Sequence, residues 1–268
     1  WKQLLSAVEA GQGVLLSQVA SGQRAFLAAA LQRKTGRPVL LVCANEVAAG
    51  KAAQDVNQLL GPVAAVLPPR DTQFSRSASS LESTWQRIGV LDGALSGRVK
   101  VLCVSVAALL GRYAPAARMR EMTLRLSEKS RVQPEKLIRQ LVWAGYERVA
   151  MVEGCGQCAA RGSIVDVYPP SASCALRIEF FDDEIDSLRT FDPISQRSLG
   201  RLKAASIPPA TECLLLPEEW EGAAERLKTA LNAQSILPER EEPAELPDLP
   251  PLSELFSVID AEDEDELP

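Results

Sequence analysis

Two hydrophobic periods divide the chain. In its first hundred or so residues, short continuous apolar runs alternate with longer stretches whose apolar positions recur at helical spacing. The runs lie at 13–17, 38–44, 63–67 and 99–104, and the 38–44 run in particular suits a parallel strand covered on both faces. Between them, residues 1–10, 23–34, 46–60 and 81–95 read as helices, the second carried by the strong helix formers Ala28, Ala29, Ala30 and Leu31. That β-α-β-α-β alternation predicts a doubly wound parallel sheet of nucleotide-binding type.

The period changes at the Pro-containing linker Tyr113-Ala-Pro-Ala-Ala117. A strand at 122–126 and a helix over 134–144, with Pro134 in its first turn, precede closely spaced strands from 147 to 191. Gly145-Tyr-Glu-Arg-Val149 and Ala160-Arg-Gly-Ser-Ile-Val-Asp-Val-Tyr-Pro169 alternate apolar and polar residues, as half-buried strands do. This succession is α+β in character. The expected domains are residues 1–117, 118–208 and 209–268. Within the last, 218–230 reads as a helix with Trp220, Ala223, Ala224, Leu227 and Leu231 able to share a face. The Pro-rich remainder, with its acidic run Asp260-Ala-Glu-Asp-Glu-Asp-Glu266, reads as a linker or flexible tail.

Composition sharpens this picture. At 268 residues and 46% hydrophobic, the chain can bury one large or two modest cores. Its net charge of −6 conceals an asymmetry: residues 1–217 carry 26 Lys+Arg against 19 Asp+Glu, and residues 218–268 carry 3 against 16. The basic body suits an acidic partner or weak nucleic-acid contact but lacks the dense footprint of a tight DNA binder. No run approaches the roughly 18 apolar residues of a membrane span, and no charged-then-apolar leader opens the sequence, so the expectation is a cytoplasmic chain without a membrane partner.

The chain contains no histidine, which excludes His-based triads, His-ligated zinc and HExxH chemistry. Its six cysteines are scattered and suit reduced thiols. Cys155-Gly-Gln-Cys158 has the spacing of a zinc or redox pair. Zinc needs two further thiolates, of which only Cys174 is a conceivable one; redox use wants a helix N-terminus, whereas this pair sits between strands. The pair reads as chance, and neither metal nor cofactor is expected.

The loop before the first helix of such a sheet is where a phosphate-binding G-x-x-x-x-G-K-[ST] sequence belongs. The corresponding octet, Ser17-Gln-Val-Ala-Ser-Gly22-Gln23-Arg24, keeps only the second glycine. Gln23 stands where the lysine that neutralises phosphate is required, and Arg24 where the Mg²⁺-binding hydroxyl is required. Arg24 can still meet an anion, but hydrolysis without these parts has no electrostatic basis. Phe181-Asp-Asp-Glu184 superficially has the look of an acidic Walker B strand end, but it reads as a strand end with solvated carboxylates, since the loop it would serve is missing.

At these residues the sequence resembles the N-terminal UvrB-homology module of the bacterial transcription-repair coupling factor family, and less closely UvrB. The resemblance rests on Ala144-Gly-Tyr-Glu-Arg148, Ala160-Arg-Gly-Ser-Ile-Val-Asp-Val-Tyr-Pro-Pro170, Arg177-Ile-Glu-Phe-Phe-Asp-Asp-Glu-Ile-Asp-Ser-Leu-Arg-Thr-Phe-Asp192 and Ser195-Gln-Arg-Ser-Leu199. Weaker matches at Gly36-Arg-Pro-Val39 and in the 67–74 loop extend it over about residues 1–217. It implies a helicase-like, P-loop-NTPase-type parallel sheet domain with a degenerate nucleotide loop and an inserted α+β domain. It also implies a non-catalytic role, because the decayed loop matches the coupling factor's module rather than UvrB.

The implied partner is UvrA, the damage-recognition protein of nucleotide excision repair, met by arginines and an aromatic on the inserted sheet. Carried onto this chain, those positions are Arg148, Arg161 and Phe181. Where UvrB has a further arginine, this chain has Ala159, and that contact is missing. Taken alone, each arginine also reads as a solvated side chain or an internal partner of the acidic cluster, and Phe181 as a core residue. The resemblance implies that contacts with DNA and RNA polymerase run through parts of a longer parent protein not found here. The competing readings are a UvrB-like DNA-dependent ATPase and a DNA-binding helicase-derived module with steeply salt-dependent affinity.

Overall fold

The computed structural model describes residues 1–70, 78–215, 217–234 and 257–258. The chain divides into two compact units, Ala28–Pro217 and Trp1–Leu27 with Glu218–Pro268. The element order opens with α1 (Lys2–Glu9), β1 (Val14–Leu15), α2 (Ser21–Thr35), β2 (Val39–Cys43), α3 (Glu46–Leu60), β3 (Ala64–Leu67), α4 (Ala78–Leu95) and β4 (Val101–Ser105). Next come α5 (Val106–Leu109), α6 (Ala116–Met122), β5 (Leu124–Ser127), α7 (Pro134–Trp143), β6 (Glu147–Arg148), β7 (Gln157–Arg161) and β8 (Ile164–Val167). The chain continues with β9 (Ala175–Phe181), β10 (Glu184–Phe191), β11 (Ser198–Leu202), β12 (Ala204–Ile207), α8 (Trp220–Gln234) and β13 (Ser257–Val258). The result is a mixed α/β molecule with parallel and antiparallel sheets.

Three parallel strands in the order β2-β4-β3 form the first layer. The central strand β4 is the most buried, and α3 packs on it through Ala49, Ala53 and Val56. Local chemistry fixes the limits of α3: the Asn45 side chain accepts the Ala48 N–H at its start, and Gly61 takes a φ of +79° at its end. Asn57 on the same helix reaches over to bond the backbone of Val63 and Ala64, which ties down the start of β3 on the side where no strand pairs with it among the described residues.

Two expectations need correction here. The 38–44 run does not form a strand covered on both faces: Leu40 is 53% exposed and Val42 45%, whereas Val39, Leu41 and Cys43 are partly buried, so among the described residues β2 is covered chiefly on the Leu41 side. Nor does β1 add to the three-stranded sheet; among the described residues it pairs in parallel with β13.

The second layer is a six-stranded sheet in the order β11-β10-β9-β8-β7-β6, antiparallel except where β6 meets β7. One of its faces carries Cys158, Val165, Val167, Leu176, Ile178, Phe180, Ile185 and Leu188. Helix α7 covers that face with Leu137, Ile138 and Leu141, and Tyr146 closes it by donating its hydroxyl to Pro208 O at 2.7 Å. β5 and β12 pair beside this core. Residue 117 falls inside α6 and residue 208 just after β12.

Helix α4 joins the two layers. Its Arg87 guanidinium is nearly fully buried and binds Glu212 through both carboxylate oxygens at 2.8 and 3.0 Å, together with Pro69 O, Ser83 and Thr84. Its Trp85 donates to Ala210 O at 3.2 Å and lies so close to Gly156 that a Cβ there would sit 2.5 Å from the ring. Among the described residues, no helix is long and apolar enough to cross a membrane.

Candidate functional site

Part of the other face of the six-stranded sheet is apolar, where Ala159, Ala175 and Phe191 bury against Val152, and the rest is open and built from charge. Its side chains follow from the register: Arg161 and Ile164 lie level with Glu179, Asp166 with Arg177, and Arg177 with Arg189. Asp166, only 1% exposed, is the hub. Arg177 grips it with Nε and Nη2 at 2.8 and 2.9 Å, and Arg161 adds Nη2 at 2.8 Å. Arg177 itself lies over the Phe191 ring, 4.4 Å from its centroid, and donates to Gln196 Oε1 at 3.1 Å. The Asp166 hydrogen bond pushes the Arg177 pKa above its usual value, against the opposing effect of burial. Further along, Glu179 accepts from Ser187 at 2.6 Å and stands 3.5 Å from Arg189, whose buried Nε–H has no acceptor among the described residues.

Arg148 and Arg161 leave the sheet on opposite faces. Arg148 pairs with Cys158, whose side chain lies in the α7-covered core, while Arg161 sits three residues on from Cys158 along β7, on the open face. Both belong to the β6–β7 edge, about 10 Å apart along the strand direction. Arg148 is exposed and pairs with no carboxylate among the described residues. Arg161 is 47% exposed at its side chain and bound to Asp166.

Phe181 is 80% exposed at the end of β9, so it is a surface residue and not part of the core. The acidic quartet that includes it is a hairpin tip: Phe181 pairs with Glu184, and Asp182 takes a φ of +58° in the turn. A polar notch beside it is lined by Gly162, Ser163, Asp182, Asp183 and Glu135. Arg161 and Phe181 therefore belong to the same end of the sheet, near the β7–β8 turn, whereas the 192–197 loop closes the opposite end.

The 17–24 segment has a different character. It leads from β1 into the first turn of α2, and Gly22, Gln23 and Arg24 are exposed there, as is Ser17. Gln23 folds its side chain back to accept the Ala20 N–H at 2.8 Å. The surroundings are apolar, with Trp1, Leu4, Leu16, Val19, Phe26 and Leu27 lining a hollow. An amide that caps its own helix turn in an apolar setting supplies no charge to a phosphate.

Burial pushes the thiols of Cys155 and Cys158 up to about 11. Neither thiol is activated as a nucleophile in that setting. The acidic tail beyond residue 234 lies outside the described residues apart from Ser257 and Val258. The Asp166–Arg177 hub escaped sequence reasoning, because strand register alone brings residues 161, 166 and 177 together. The one available signal was the charge alternation of Arg177-Ile-Glu179.

Residues 124–213 match the family model of the UvrB interaction domain. The chain is similar to the transcription-repair-coupling factor of Bacillus subtilis (strain 168), with 30% identity over 236 residues that cover 87% of this chain and 20% of that protein. It is 31% identical over 209 residues to the transcription-repair-coupling factor of Escherichia coli (strain K12), covering 76% and 18%. It is also 28% identical over 250 residues to the UvrABC system protein B of Acinetobacter baylyi, covering 87% and 37%. The chain thus spans about a fifth of the length of the coupling factors it matches.

Proposed function

The chain carries a UvrB interaction domain and is a relative of the transcription-repair coupling factors, and from that premise we propose that it is a non-catalytic docking module that recruits UvrA to stalled transcription complexes in nucleotide excision repair. The observation that carries this reading is the open charged face of the six-stranded sheet, inside the matched segment, with Arg161 anchored at its edge and Phe181 standing free in solvent beside it. Arginine supplies forked, charge-assisted hydrogen bonds to carboxylates, and arginines with aromatics dominate interface hot spots. Arg148 on the other side of the same edge suits a partner that straddles the β6–β7 border.

The ATPase reading has less support. The 17–24 segment offers no lysine at the phosphate position, and Gln23 is spent on a backbone cap. In this proposal any contacts with DNA and RNA polymerase run through parts of a longer parent protein; this chain spans about a fifth of the length of its relatives.

The test is capture on immobilised UvrA. The wild-type chain should be retained, and the Arg148→Glu, Arg161→Glu double variant should pass through while keeping the wild-type circular dichroism spectrum. Equal retention of the two would sink the assignment of these arginines.

A further inference from the structure

Arg161 sits in a fixed posture, and what fixes it is a buried carboxylate. Asp166 lies beneath the arginines of the open face, almost without solvent contact. Both of its oxygens are taken by the fork of Arg177, at 2.8 and 2.9 Å. Arg177 cannot swing, because its guanidinium lies over the Phe191 ring and donates to Gln196. Gln196 in turn is tied to Val152 O at 3.2 Å and to Pro193 O at 2.7 Å. The carboxylate is therefore locked from below before Arg161 reaches it.

Arg161 spends one Nη2 hydrogen bond on this locked group, while its side chain stays half exposed. Its Nε and Nη1 make no hydrogen bond among the described residues. Asp166 carries one negative charge against the two guanidiniums it binds, so it cannot neutralise both. An arginine free in solvent gives up its rotamer freedom when it docks; one already held gives up little.

We propose that Asp166 is a positioning residue of the docking surface: it sets the Arg161 guanidinium, ahead of binding, in the orientation in which a carboxylate of the partner meets its remaining donors. The proposal rests on the UvrA reading above and deepens it. The opposite role for the same contact is sequestration, in which Asp166 competes with the partner for Arg161. The two roles differ in sign when the carboxylate is neutralised.

The experiment is a double-mutant cycle read by calorimetric titration of UvrA into the full chain, using wild type, Asp166→Asn, Arg161→Ala and the combined variant. Positioning predicts that Asp166→Asn weakens binding about tenfold in the wild-type background, and by less than about twofold once Arg161 is alanine. Tighter or unchanged binding by Asp166→Asn overturns the proposal, as does an equal loss in both backgrounds, which a merely structural role would give. Should Asp166→Asn fail to fold, Arg161→Lys carries the test, since it keeps the charge and leaves Asp166 in place. A lysine has no fork to orient, so it should bind within about threefold of Arg161→Ala. Affinity within about threefold of wild type overturns the proposal. Wild type that fails to bind UvrA at all removes the docking reading and this one together; wild-type binding that ignores both Asp166→Asn and Arg161→Lys removes this one alone.

Discussion

Single side chains on this molecule separate cleanly into those that hold it together and those left for something else. Phe181 is the clearest of the second kind, because an aromatic ring in water at a hairpin tip contributes almost nothing to the fold. Phe181→Ala should leave the melting temperature within about 1 °C of wild type while weakening UvrA binding about tenfold, as loss of an interface aromatic does. A combined melting and titration series checks both halves. Glu212 is of the first kind. Burial pushes its carboxyl up, but the hydrogen bonds and charges of Arg87 and Arg70 outweigh that and hold it below its usual value of 4.5. A carboxyl with a lowered folded-state pKa lends stability that is complete above its unfolded value and disappears as pH falls through the folded one. Stability should therefore drop in acid from about pH 4.5 downward, a drop that Glu212→Ala lacks. The same substitution strands Arg87 and should cost about 3 kcal/mol at neutral pH, measurable by urea unfolding.

Among elements, α4 is the one on which the arrangement of Ala28–Pro217 depends. It packs against β3 on one side and receives Gly156, Ala210 and Glu212 on the other. Gly156 has a φ of +76° and no room for a Cβ against Trp85, so Gly156→Ala should lower stability by about 2 kcal/mol through strain and overpacking together. Thermal unfolding of that variant is the check. The sequence made α3 and α7 legible because their ends carry their own chemistry: the Asn45 cap and Gly61 for one, Pro134 for the other. Helices α5 and α6 are too short to show a period, and α6 starts within the last two residues of the expected 113–117 linker. Strand β11 escaped because Ser198, Leu199, Gly200 and Arg201 are all exposed, leaving no alternation to read. Nor could periodicity find the partner of β1, which comes from the far end of the sequence. The candidate site shows the same division. Arg148, Arg161 and Phe181 sit in local motifs, whereas the Asp166 hub, and the placement of the two arginines on opposite faces, depend on register between strands.

For the molecule as a whole, the distribution of charge decides what kind of partner fits. Residues 1–217 are modestly basic, and the open face gathers arginines around buried or half-buried carboxylates instead of forming a bare cationic surface. Such a face suits a protein surface with placed acidic groups better than a phosphate backbone, whose affinity scales with the number of neutralised phosphates. Binding to UvrA should accordingly weaken with salt far less steeply than the 10³-fold or greater losses typical of multi-phosphate contacts over a few-fold rise in salt. Titrations at two ionic strengths measure that slope. The central claim, that the edge of the antiparallel sheet docks UvrA, is tested most directly by calorimetric titration of UvrA into the wild-type chain and into the Arg148→Glu, Arg161→Glu double variant. Saturable heat with wild type, and none with a variant that still melts cooperatively, is the predicted result; indistinguishable isotherms would contradict it.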